Sequence, residues 1–198
     1  MRLAHDFAAV AESLRLSTVQ VRGQGSFGGS GVIWRSSGLI ITNAHVARDP
    51  HATVELSDGR SLDAAVTARD RRRDLAALEV EADDLPAATI GDSDAVRVGE
   101  LVLAIGNPFG LIGAVTTGII HSIGASGSQG WLQADVRLAP GNSGGPLADA
   151  RGRVLGINSM IVKGLALAVP SNAVELFLRA KGGERLYLGV TIRPKEGW

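Results

Sequence analysis

Pro140-Gly141-Asn142-Ser143-Gly144-Gly145-Pro146-Leu147 is the stretch on which the reading of this chain turns. Glycines on both sides strip bulk from around the Ser143 hydroxyl. The glycine before it lets backbone N–H groups converge on one small space, the geometry that stabilises a developing oxyanion. Gly-Ser-Gly strings are also common in plain surface loops, so the segment gains meaning only if partners stand elsewhere in the chain.

Two such partners exist. Thr42-Asn43-Ala44-His45-Val46 closes an apolar strand, and Arg73-Asp74-Leu75-Ala76-Ala77-Leu78 puts a carboxylate at the start of another. Each alone is weak: a histidine after a strand is usually structural, and Asp70 competes with Asp74 for the same chemistry. Together, His45, Asp74 and Ser143 run in the order of the chymotrypsin-type hydrolases; subtilisins run Asp, His, Ser and α/β-hydrolases run Ser, Asp, His. His5, His51 and His121 fall in no motif.

Outward from these residues the hydrophobic period is mostly two. Residues 18–22, 31–34, 39–42, 53–56, 62–67 and 75–80 read as strands, with Asp58-Gly59 a hairpin signal. The chain then starts again after Thr89-Ile90-Gly91-Asp92-Ser93, with strands at 101–105, 115–123, 131–136, 154–157 and 165–169. The pattern predicts an all-β fold of two six-stranded barrels with the site between them. Short helices flank them at 4–14 and 171–181, the second capped by Ser171. The first barrel covers about 16–92 and the second about 93–172, within a unit of residues 1–182.

Composition narrows the function. The 198 residues carry 20 basic and 20 acidic side chains, so no basic face for nucleic acid or an anionic membrane is expected. Without cysteine there is no disulfide, thiolate metal site or cysteine nucleophile. Neither metal nor cofactor is called for. The 26 glycines are about twice ordinary usage, which suits short strands and tight turns. Leu101 to Ala125 is long enough to span a bilayer, but Gly106-Asn107-Pro108 and Gly110 break it into two buried strands and a turn. His5, Asp6 and Glu12 interrupt any signal-peptide core, so a protein starting at Met1 would be cytoplasmic.

The chain resembles the HtrA/Deg group of trypsin-like serine proteases. The matching segments are Ser30-Gly31-Val32, residues 39–46, 74–78, Gly91-Asp92-Ser93, residues 104–111, Gly141 to Leu147, Gly156-Ile157-Asn158 and residues 168–172. That resemblance implies an endopeptidase of protein quality control acting on unfolded or extended chains, with an extracytoplasmic address. It also implies the roles. Ser143 attacks the scissile carbonyl, His45 moves the proton, and Asp74 orients and stabilises the imidazole. The oxyanion site falls on Gly141, Asn142 and Ser143, with N–H donors on the first and last. The peptide between Gly141 and Asn142 is the one expected to flip when activity is switched.

Asn142 stands where digestive trypsins carry the aspartate that pairs with a freed N-terminus, so no zymogen of that kind is expected. The resemblance places the floor of the primary specificity pocket near the residue six before Ser143, which is Arg137 and not acidic, and implies an apolar floor at Leu138 beside it. With Met160 and Ile161 as walls, the preference would be for small to medium aliphatic residues before the scissile bond. Asn158, Ser159 and Met160 would form the edge that pairs with an extended substrate. A homotrimer through the N-terminal segment, with Phe7 a contact, follows from the same resemblance. Residues 183–198 look like the start of a PDZ domain. Two rivals use the same fold: a catalytically silent peptide-binding or chaperone-like module, and an esterase.

Overall fold

The computed structural model describes residues 2–23, 28–107, 110, 113–124 and 130–181. Pro108, Phe109, Leu111 and the 183–198 segment lie outside the described residues.

Helix α1 (Arg2–Leu16) leads into a first barrel of β1 (Thr18–Arg22), β2 (Gly29–Arg35), β3 (Leu39–Thr42), β4 (His51–Glu55), β5 (Ser61–Asp70) and β6 (Leu75–Val80). The strands close antiparallel in the order β1-β2-β3-β6-β5-β4. The second barrel holds β7 (Leu101–Gly106), β8 (Ala114–Ile123), β9 (Leu132–Asp135), β10 (Pro146–Asp149), β11 (Val154–Val162) and β12 (Leu165–Pro170). It closes in the order β10-β11-β12-β9-β8-β7, and helix α2 (Ser171–Lys181) follows. The all-β double barrel read from the sequence is therefore present.

Why some strands lack a clean in-out alternation is visible in the cores. Val19, Val21, Ile33, Ile40, Val54, Ala76 and Leu78 fill the first barrel. Val102, Ala104, Ile120, Leu132, Leu147 and Leu155 pack in the second. The residues between them in sequence turn the other way: Val32, Ile41, Leu75, Ala77, Ile105, Ala148 and Ile157 form a third cluster where the barrels meet. Leu14 of α1 and Val174, Phe177 and Leu178 of α2 join that cluster. β3 and β6 thus bury both faces. An Ile or Leu moved from water to such a site contributes roughly 1.5–3 kcal/mol, so the seam between the barrels is a main source of rigidity for whatever spans it.

Two expectations need correction. The sequence reading of the second set omitted β10, whose four residues are all buried and so show no alternation. Ser171 does not cap α2 with its own side chain. Its hydroxyl donates to the Gly91 carbonyl at 2.7 Å, and Ser93 Oγ instead accepts the Asn172 N–H at 3.1 Å. The helix start is stapled to the inter-barrel connection. No helix among the described residues is long and apolar enough to cross a membrane.

Candidate active site

β3 ends at Thr42 and the chain turns at once. The Asn43 carbonyl accepts N–H groups from Val46 and Ala47, both at 3.1 Å, and this turn carries His45. Thr42 Oγ1 donates to the Ser30 carbonyl at 2.6 Å and anchors the strand end. Asn43 Nδ2 reaches across to the Asp74 carbonyl at 2.9 Å, tying the histidine turn to the turn that opens β6.

Asp74 sits in the left-handed region at φ 56°, which Asp adopts more readily than most residues. Asp70 builds the turn that puts it there. Its Oδ1 accepts the N–H groups of Arg72 and Arg73 at 2.9 and 3.1 Å, while Oδ2 pairs with the Arg73 guanidinium at 2.9 Å. The Asp74 carboxylate then grips His45 twice. Oδ1 accepts the His45 backbone N–H at 3.1 Å, and Oδ2 lies 2.8 Å from Nδ1. The carboxylate is 14% exposed while the imidazole is 41% exposed, so one is shielded and the other reachable. Burial on its own would raise the Asp74 pKa. The hydrogen bonds from the His45 ring, Ser159 and the His45 backbone outweigh it and hold the carboxyl below its usual range.

The Ser143 turn is clasped from both barrels. The Ser143 carbonyl accepts the Ser30 N–H at 2.8 Å, and Gly144 N–H donates to the Asn158 carbonyl at 2.8 Å. Gly144 has φ 89°, and a Cβ there would overlap the Ser30 carbonyl oxygen and the Thr42 hydroxyl, so only glycine fits. Ser30, fully buried, also donates its hydroxyl to the Gly141 carbonyl at 2.7 Å and accepts the Asn107 N–H at 2.9 Å.

These contacts revise two expectations. Asn142 N–H is spent on the Ala139 carbonyl at 3.0 Å, so its backbone offers no donor to an oxyanion. The N–H groups of Gly141 and Ser143 make no hydrogen bond among the described residues. The peptide between Gly141 and Asn142 is pinned at both ends, by Ser30 on its carbonyl and by Ala139 on its N–H. In this structure it is held in place, whereas the peptide before it, Pro140–Gly141, carries no such ties among the described residues.

The residue that joins the pieces is Ser159. Along β11, Asn158 opposes Ala168 but Met160 opposes Leu167, which leaves Ser159 as the extra residue of a β-bulge. A bulge breaks the alternation and re-aims a side chain. Ser159 is consequently buried, its Oγ donates to Asp74 Oδ2 at 2.5 Å, and its carbonyl accepts the Ser143 hydroxyl at 2.8 Å. One residue of the second barrel thus touches both the serine hydroxyl and the first-barrel carboxylate. The Ser143 hydroxyl rests on that carbonyl; no bond to the His45 ring is formed in this state.

The geometry meets a family at this point. The model of the trypsin-like peptidase domain matches residues 29–157. A DegP-like periplasmic serine endoprotease from Halomonas elongata is 44% identical over 181 residues, covering 84% of this chain and 38% of the relative. The serine protease HhoB of Synechocystis sp. is 42% identical over 187 residues, covering 84% of this chain and 45% of that protein. Among solved structures, the HtrA-type protease AlgW with a tripeptide aligns at a TM-score of 0.83 and 34% identity, over 90% of this chain and 64% of that one. The chain belongs to the HtrA/Deg group of trypsin-like serine peptidases. It spans less than half the length of these two curated relatives.

Within the HtrA/Deg frame, the remaining residues expected to meet substrate divide. Asn158 is fully buried, with its N–H on the Gly145 carbonyl, its carbonyl on Gly144 N–H and its Nδ2 on the Pro146 carbonyl, all at 2.8 Å. It clasps the serine turn and leaves no backbone group to pair with a substrate strand, although its buried Oδ1 has no partner among the described residues. Met160 and Ile161 are exposed, at 42% and 51%, near the end of β11. Leu138 is half-buried against the second-barrel core, and Arg137 is exposed. Ser30, read only as part of a matching segment, and Ser159, read as a substrate edge, prove to be positioning residues; only the inter-barrel seam and the bulge single out that role. Among the described residues no group of three or more His, Asp or Glu could hold a metal ion.

Proposed function

We propose that this chain is a serine endopeptidase that cleaves unfolded or extended polypeptides, with Ser143 as nucleophile, His45 as base and Asp74 as its orienting carboxylate. The observation that carries it is the Ser159 bridge. A residue bonded at once to the Ser143 hydroxyl and the Asp74 carboxylate keeps the three groups in one cleft, with His45 Nδ1 already on Asp74.

In the first step the Ser143 hydroxyl turns from the Ser159 carbonyl to the free Nε2 of His45. It gives up its proton there and attacks the scissile carbonyl carbon. The carbonyl oxygen takes the electron pair and is met by the N–H groups of Gly141 and Ser143, donors worth about 3–4 kcal/mol each in related sites. Breaking the C–N bond, with the His45 proton passing to the leaving amine, leaves an acyl-Ser143. Water, deprotonated by His45, releases the acid and restores the serine. Asp74 stays ionised throughout, which its lowered pKa supports.

For specificity, Leu138 with Met160 and Ile161 gives the second-barrel side an apolar character, and Arg137 beside them offers no acidic partner for Lys or Arg. Cleavage therefore follows small to medium aliphatic residues, in the manner of a quality-control protease. A homotrimer through α1, with half-buried Phe7 at its surface, is the assembly proposed. Sequencing the fragments of a digested unfolded protein tests the pocket. A majority of cuts after Val, Ala, Leu or Ile is expected; a majority after Lys, Arg, Asp or Glu refutes it.

A further inference from the structure

Arg48, Arg69 and Arg71 line, with Ala44, His45 and Asp74, a cavity of about 300 Å³ built wholly from the first barrel. None of the three arginines forms an ion pair among the described residues, although neighbouring Arg73 is neutralised by Asp70. Arg48 spends only its Nε, on the His45 carbonyl at 2.8 Å. Arg69 places one Nη on the Asp49 carbonyl at 2.9 Å, and its Nε is shielded from water without an acceptor. Arg71 is exposed and makes no hydrogen bond among the described residues. The one carboxylate in the lining, Asp74, is already committed through both oxygens to His45 and Ser159. Three guanidinium forks against one occupied carboxylate leave the cavity with unspent positive charge and unspent donors, a match for a planar anion.

We propose that this cavity receives the side-chain carboxylate of a substrate Asp or Glu, at the residue immediately before the one whose carbonyl Ser143 attacks. The inference rests on the protease reading for its register. In an extended chain successive side chains point to opposite sides. If the residue before the scissile bond sends its side chain toward Leu138 in the second barrel, its predecessor faces the first barrel, where His45 and the arginines stand. An acidic side chain is also short enough for the volume. The enzyme would then read two residues: an aliphatic one by burial and an acidic one by charge.

The test uses two labelled peptides that differ only by Glu or Gln at that position. Binding is measured by fluorescence anisotropy on the Ser143→Ala protein, and kcat/KM on the wild type. The Glu peptide should bind about five- to tenfold more tightly at about 50 mM salt, and the ratio should shrink at about 0.5 M. Arg71→Ala, at an exposed position, should bring the ratio within about twofold of one, and Arg48→Ala should lower it independently. Moving the Glu two or three residues away should remove the preference. Equal binding of the two peptides, or a preference that survives both arginine variants, overturns the proposal even if the wild type is active. If calorimetry then finds inorganic phosphate bound in an Arg71-dependent way, the cavity belongs to a free anion. A Glu preference in binding with neither peptide cleaved overturns the protease reading and leaves the cavity's specificity standing.

Discussion

Replacing Ser159 by Ala removes one oxygen and tests whether the bulge in β11 serves catalysis. The lost contact is the 2.5 Å hydrogen bond to Asp74 Oδ2, which falls in the short range of charge-assisted O–H···O⁻ bonds. Such bonds contribute about 1.5–3 kcal/mol. Asp74 keeps its two contacts with His45, at 3.1 and 2.8 Å, so the imidazole is loosened rather than released. The lower part of the range applies, about 1.5–2 kcal/mol, and at 1.36 kcal/mol per decade this is a ten- to thirtyfold fall in kcat, roughly. KM should move less than about twofold, because the Ser159 carbonyl and the exposed end of β11 are untouched. The assay is steady-state cleavage of a fluorogenic peptide, with circular dichroism to confirm the fold. A kcat within about twofold of wild type at unchanged Tm would refute the role given to this hydroxyl.

Four further perturbations separate the parts of the site. Asp74→Asn should cost up to about ten thousand-fold in turnover, as in related triads. Asp70→Asn should cost less than about threefold, because an amide oxygen still accepts the Arg72 and Arg73 N–H groups; kinetics of the two purified variants decide it. Asp70 and Asp74 both have lowered pKa values in the fold, so their stabilisation is present above the unfolded value of about 3.9 and is lost as pH falls through the folded values. Melting curves should therefore drop below about pH 4, and the Tm gap between wild type and Asp74→Asn should close there; a Tm independent of pH contradicts this. Gly144→Ala forces a Cβ into the Ser30 carbonyl at a positive φ, and about 2–5 kcal/mol of destabilisation with loss of activity is expected in chemical unfolding.

Much of this was legible in the residues. Apolar strands closed by His45 and opened by Asp74, with Ser143 in a glycine turn, pointed to the candidate site because the order of three residue types is informative where each alone is not. What stayed hidden depended on contacts distant in sequence. β10 is buried on both faces and begins with Pro146, so neither period nor propensity marked it. Asn158 and Ser159 are adjacent polar residues at the end of an apolar run, and read as a substrate edge. A single extra residue in the β11–β12 register turns the second toward Asp74, while the first closes on the serine turn. Ser30 is one of several small residues in β2; its bonds to Gly141, Ser143 and Asn107 exist only once the barrels meet, while Thr42 holds it within the first barrel. Cap assignment failed for the same reason, since the hydroxyl that caps α2 comes from Ser93, far upstream of Ser171.

The central claim is that Ser143 is an activated nucleophile, and covalent labelling reads it directly. The purified protein is treated with a fluorophosphonate at pH 8, digested, and the adduct mapped by mass spectrometry. A single adduct on Ser143 is predicted, absent in Ser143→Ala and slowed strongly in Asp74→Asn. No adduct on the folded wild-type protein, or an adduct on Ser159 or Ser30 in place of Ser143, would contradict the account.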